Sequence, residues 1–139
     1  MKLELGYTFE RRVRWTRDEL VRFAAGIGDT NPLHHDEAFA AATRFGGLIA
    51  SGAQPVAIAI AMCGAQASLD TPGVGLEFNF KLLGAAKPDE EIRFRWEIVA
   101  LESSERPHGT IVTLHGEAIA ENERRILSAT ARTLMVDAL

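Results

Sequence analysis

The chemistry-bearing residues of this chain gather in one stretch. Residues 28–36 read GDTNPLHHD and hold two of the four histidines beside two carboxylates. Asp29 and His34 have reference pKa values of ~3.9 and ~6.5, so near neutral pH each can accept a proton. Held together on a rigid turn, they form an acid/base pair that can also orient a single water. Pro32 fixes its own φ and restricts Asn31, so the backbone sets the spacing of the pair. General acid–base chemistry requires that kind of preorganisation.

Turn-making explains part of the stretch without any chemistry. Gly28 ends a helix, Asn31-Pro32 initiates a turn and Asp36 caps the next helix. Asp29 and His34 are left over. A metal site is the competing arrangement, with His34, His35 and Asp36 as ligands. Adjacent histidines seldom reach one ion, and no H-x-x-x-H spacing or Cys partner is present. The sequence therefore asks for no metal and no cofactor. His35 reads as the residue before a helix cap, His108 as a hairpin-loop residue and His115 as a strand residue.

Nucleophilic catalysis has less support. Cys63 lies in the apolar run VAIAIAMCGA (56–65), where a free thiol behaves as a small buried hydrophobe, and no G-x-S-x-G elbow exists. Ser51 with Gln54 fits a capping box at the start of a helix, although Pro55 could also be the first helical residue. In either register the amides of Gly52 to Gln54 sit at the positive end of a long helix. Free N–H groups there suit a developing oxyanion, and Gly52 lets a ligand carbonyl come close.

Helices in the first half and strands in the second must position these groups, which predicts an α+β fold. Residues 7–15 alternate, with Tyr7, Phe9, Val13 and Trp15 on one face, as a half-buried strand does. Thr16 and Glu19 make a capping box for a helix over about 17–26, and Asp36 caps a short one over 37–43. Residues 51–69 are apolar nearly all round, which predicts a helix buried on most of its circumference. Strands are expected at 74–82, with Val74, Leu76, Phe78, Phe80 and Leu82 inward, and at 92–101, with Ile92, Phe94, Trp96 and Ile98 inward. The polar run 102–109 reads as a hairpin connection, and 110–120 and 125–136 as two last strands joined by 121–124. A curved antiparallel sheet of about five strands wrapped around a long central helix is a hot-dog-like arrangement. Its open edges predict at least a homodimer.

Bulk properties narrow the class. One domain over 1–139 is expected, and 47% apolar and 24% charged residues are ordinary globular usage. The first residues show no secretory signal, and the run 55–63 is far short of the ~20 residues of a membrane span. Net charge is −4, and Arg11, Arg12, Arg14 and Arg17 alternate with apolar or acidic neighbours. That pattern predicts a solvated face rather than a nucleic-acid surface. A soluble, cytoplasmic protein is expected, with no membrane or nucleic-acid partner.

GDTNPLHHDEAFAAATRFGGLIASG resembles the hydratase signature of the MaoC-like, (R)-specific enoyl-CoA hydratase family, and FNFKLL (78–83) resembles that family's next strand. The resemblance implies a hot-dog lyase that adds water reversibly across the trans-2 double bond of an acyl thioester, giving the (R)-3-hydroxyacyl product. It implies that Asp29 and His34 hold the water, that Asn31 and Pro32 shape the loop, and that the Gly52 amide binds the thioester oxygen. It implies too that the CoA or acyl-carrier arm enters along a dimer interface. Many relatives carry His before the helix-opening Gly, where this chain has Ser51. Two other functions stay open on the same fold: a non-catalytic acyl-CoA-binding subunit, and thioester hydrolysis.

Overall fold

In a computed structural model of the chain, residues 1–70 and 72–136 are described. Strand β1 (Thr8–Arg14) leads into α1 (Arg17–Gly26), a single 3-10 turn (Pro32–His34) and α2 (Glu37–Ala41). Helix α3 (Ala53–Ala67) follows, then β2 (Gly73–Leu82), β3 (Glu91–Glu105), β4 (His108–Ala120) and β5 (Arg125–Val136). The strands form one antiparallel five-stranded sheet in the order β1-β3-β4-β5-β2. This is the expected α+β hot-dog architecture.

The sheet core rests on the predicted alternation. Ile92, Phe94, Trp96 and Ile98 are at most 1% exposed. They sit opposite Ala120, Ala118, Gly116 and Leu114, mostly large against small. Gly116 is required there, since a Cβ would lie 2.5 Å from the Trp96 ring. The Trp96 indole N–H donates to the Ala59 carbonyl at 3.1 Å, tying the sheet to α3. The Thr16–Glu19 capping box forms as expected.

Three expectations need correction. Val74, Leu76 and Leu82 are 46, 50 and 58% exposed rather than inward, and only Phe78 and Phe80 are half-buried. β2 is an edge strand with a bulge between Gly75 and Glu77, so its row of apolar side chains is not held against the core. Residues 102–109 do make the hairpin connection, but only Arg106 and Pro107 lie outside the strands. β3 and β4 continue as paired strands to Glu105 and His108, because ladder hydrogen bonds satisfy the backbone whether or not a face is apolar. His108 is therefore a strand residue.

The third concerns α3, which is shorter than 51–69. It buries Pro55, Ala59, Met62, Cys63 and Ala67 on one side, while Ala53, Ile60, Ala61, Gly64 and Ala65 are exposed on the other. One sheet covers one side of a helix, so an all-apolar circumference is only partly buried within a single chain. No helix among the described residues is long and apolar enough to cross a membrane.

Candidate active site

The loop between α1 and α2 is built by side chains bonding to their own backbone. Asp29 Oδ1 accepts from the Asn31 amide at 3.2 Å. Asn31 Oδ1 accepts from the Leu33 amide at 3.0 Å and caps the 3-10 turn, with Pro32 at its start. Asp36 accepts from the Phe39 amide at 3.0 Å and caps α2. Asn31, Pro32 and Asp36 thus do the turn-making that residue type predicts. His35 donates from Nε2 to the Asp29 carbonyl at 2.6 Å, a clamp across the loop that sequence reading did not anticipate.

Asp29 and His34 come together. His34 Nε2 lies 3.2 Å from Asp29 Oδ2, with the imidazole 7% and the carboxylate 30% exposed. The other ring nitrogen is spoken for, since His34 Nδ1 donates to the Ile49 carbonyl at 2.9 Å. The Ile49 amide in turn donates to the Leu33 carbonyl at 3.1 Å. The strip before α3 is therefore stitched to the loop through both backbone groups of Ile49. No signal in the sequence could have named Ile49, because it acts through its backbone.

Ser51 is 2% exposed. Its hydroxyl beside Asp29, then the Asn31 amide, hold the Asp29 carboxyl below the usual carboxylate range; burial opposes this, and the imidazoles of His34 and His35 reinforce it. The expected capping box with Gln54 does not form. Gly52 is the cap residue, and Ser51 Oγ accepts only a long 3.4 Å bond from the Ala53 amide. The Gln54 amide donates to the Ser51 carbonyl at 3.0 Å. Of the three amides expected to be free, only that of Gly52 has no acceptor among the described residues. Leu82 packs over Gly52, where a Cβ would lie 2.7 Å from Leu82 Cδ1.

Cys63 is 3% exposed, and burial pushes its thiol up to about 12, so it is no nucleophile at neutral pH. The arrangement that remains is a buried imidazole against a part-exposed carboxylate, beside a helix start with one spare N–H.

The MaoC-like domain model matches residues 2–118, so the chain belongs to the MaoC-like dehydratase family. Among solved structures, the (R)-hydratase from A. caviae involved in PHA biosynthesis superposes with a TM-score of 0.85 at 25% identity, over 96% of this chain and 97% of that one. The MaoC-like dehydratase from Rhodospirillum rubrum gives 0.81 at 25% identity, over 96% and 93%. The R-hydratase of Pseudomonas aeruginosa gives 0.75 at 23% identity, over 99% and 84%, a likeness of fold. No curated protein sequence matches significantly.

Proposed function

We propose that the chain is an (R)-specific enoyl-CoA hydratase, or 3-hydroxyacyl-thioester dehydratase, working through Asp29 and His34. One observation carries this reading. With Nδ1–H committed to the Ile49 carbonyl, a neutral His34 turns a bare Nε2 lone pair toward a carboxylate oxygen 3.2 Å away. Two acceptors cannot satisfy each other, and a water that donates one hydrogen to each can satisfy both. Its oxygen lone pair is then free to attack.

The reaction follows from that water. Its oxygen bonds to C3 of the enoyl thioester as one O–H bond breaks, and the proton passes to the Asp29–His34 pair. Electron density moves through C2 onto the thioester oxygen, where the Gly52 N–H and the start of α3 stabilise it. The pair returns a proton to C2, so that H and OH have been added across the double bond and the enzyme is restored. Dehydration runs the same steps backwards.

The acyl chain would lie in the crevice where α3 runs beside β2, from Gly52 and Leu82 at one end to Ala67 and Gly73 at the other. A homodimer belongs to this reading. The outer face of α3, with Ile60, and the free edge of β2, with Val74, Leu76 and Leu82, expose apolar side chains that a second subunit would cover.

Crotonyl-CoA and longer trans-2-enoyl-CoAs test the activity, with enone absorbance and free thiol followed separately. Enone loss without thiol release is expected. Thiol release would mean hydrolysis instead. Tight binding of acyl-CoA with neither signal would mean a non-catalytic subunit.

A further inference from the structure

The peptide group that holds His34 is itself held. The Ile49 carbonyl and the Ala50 amide are the two ends of one planar trans peptide, so they point to opposite sides. The carbonyl accepts from His34 Nδ1 at 2.9 Å, and the Ala50 N–H donates to the Ala86 carbonyl at 2.8 Å. Ala86 is 2% exposed and lies in the segment between β2 and β3. There the pattern repeats. The Ala86 carbonyl shares its peptide group with the Lys87 amide, and that N–H donates to Glu90 Oε1 at 2.8 Å.

The run ends on a paired side chain. Glu90 is 12% exposed there, and both its carboxylate oxygens lie 2.6 Å from Arg124 Nη2. Arg124 also donates from Nη1 to the Ala85 carbonyl, so one guanidinium grips the segment at two points. Backbone bonds tie the segment at its ends as well. The Leu83 amide donates to the Ile126 carbonyl at 2.8 Å, and the Asp89 amide to the Trp15 carbonyl at 2.7 Å.

Three hydrogen bonds therefore run in one sense, from His34 Nδ1–H through two peptide groups to the Glu90 carboxylate. Hydrogen bonds in series polarise one another. The negative end at Glu90 makes the Ala86 carbonyl a better acceptor for Ala50, and the Ile49 carbonyl a better acceptor for His34. Asp29 favours the opposite tautomer. A neutral imidazole has one N–H, and a carboxylate accepts it more strongly than an ordinary carbonyl does. With Asp29 Oδ2 3.2 Å from Nε2, a proton on Nε2 would bond that carboxylate and leave the Ile49 carbonyl facing a bare Nδ1. The hydration reading needs the proton on Nδ1, so that Nε2 accepts.

We propose that Glu90 is a positioning residue, which holds His34 in its Nδ1–H form through the Lys87–Ala86 and Ala50–Ile49 peptide groups. Arg124 keeps Glu90 in place. The effect on turnover rests on the hydration reading above; the control of the tautomer does not.

Nitrogen-15 shifts of the imidazole distinguish a protonated nitrogen from a bare one. They are measured by long-range proton–nitrogen correlation on the full chain at about pH 8.5, where an ordinary imidazole is neutral. The His34 signals are those that His34→Ala removes. The parent should show Nδ1 protonated, and a parent ring already protonated at Nε2 overturns the proposal. Glu90→Ala should move the proton toward Nε2 and lower kcat roughly five- to fiftyfold, with KM changed by less than about twofold. Glu90→Gln keeps an oxygen for the Lys87 N–H and should restore the parent tautomer and most of the rate. A purely structural role would lower the melting temperature without moving the ring proton. A folded Glu90→Ala whose proton stays on Nδ1 therefore overturns the proposal at any rate of turnover. If Glu90→Ala does not fold, Arg124→Lys keeps a cation beside Glu90 and gives up the fork to the Ala85 carbonyl. A shift toward Nε2 in that variant supports the proposal, and none overturns it. A parent that consumes no enone ends the hydration reading by itself, and the ring proton in Glu90→Ala still decides this one.

Discussion

His34 faces Asp29 across 3.2 Å with one nitrogen, and its other nitrogen is anchored to the Ile49 carbonyl. The anchor fixes which tautomer a neutral ring adopts, and with it which atom meets the carboxylate. The pair is thereby defined by three residues, one of which contributes only backbone.

Replacing either member of the pair should separate chemistry from folding. Asp29→Asn keeps the shape of the loop and should lower kcat by about 10²–10⁴ with little change in melting temperature. His34→Ala should lose as much activity and also destabilise the protein by about 1–3 kcal/mol, because the buried Ile49 carbonyl loses its donor. Near-normal turnover in either variant would end the shared-water mechanism.

Ser51 should be legible in the titration of Asp29. The Asp29 carboxyl is held below its ordinary value, first by the Ser51 hydroxyl. Its contribution to stability is therefore present above the unfolded carboxylate value and is lost as pH falls through the lower folded one. Carbon-detected NMR of the side-chain carboxyl should place the parent midpoint below the free-peptide value. Ser51→Ala should move that midpoint upward, toward it. An unmoved midpoint would show that the hydroxyl does not bond to the carboxylate.

Gly52 permits a comparison between blocking an amide and deleting it. Its φ is −57°, close to that of proline, and its N–H has no acceptor among the described residues. Gly52→Ala adds a methyl that pushes on the exposed, flexible Leu82 and keeps the N–H. Gly52→Pro should lose a further 10²–10³ in kcat beyond Gly52→Ala if that N–H holds the developing oxyanion. Equal rates in the two variants would assign the charge to another donor.

The β2 edge can be tested apart from catalysis. Val74 is 46% exposed and pairs on one side only, with Leu134 of β5. Val74→Lys should weaken the proposed homodimer, with light scattering showing a concentration-dependent shift toward monomer and circular dichroism little changed. A parent protein already monomeric at all concentrations would remove the interface from the proposal.

Local pattern made much of this chain readable. The Thr16–Glu19 box and the alternation through Ile92, Phe94, Trp96 and Ile98 located their elements, because a cap and a two-residue period act over a few residues. The reading failed where burial depends on a neighbour. Val74, Leu76 and Leu82 alternate as an inner strand would, yet they lie on an edge. The apolar circumference of α3 showed that the helix wants covering, without showing that one sheet covers only half of it.

At the site the division is sharper. Residue type and spacing alone picked out Asp29 and His34, because a proline-stiffened turn has no need of an imidazole and restricts where one can go. Tertiary structure decided the orientation of that imidazole, the placing of Ser51 near Asp29, and which amide at the start of α3 stays free. Each of those depends on residues 49–52 being laid against the loop. Hydrogen bonds between segments that are distant in the chain leave no period in the sequence, since a backbone carbonyl is the same group whatever residue carries it.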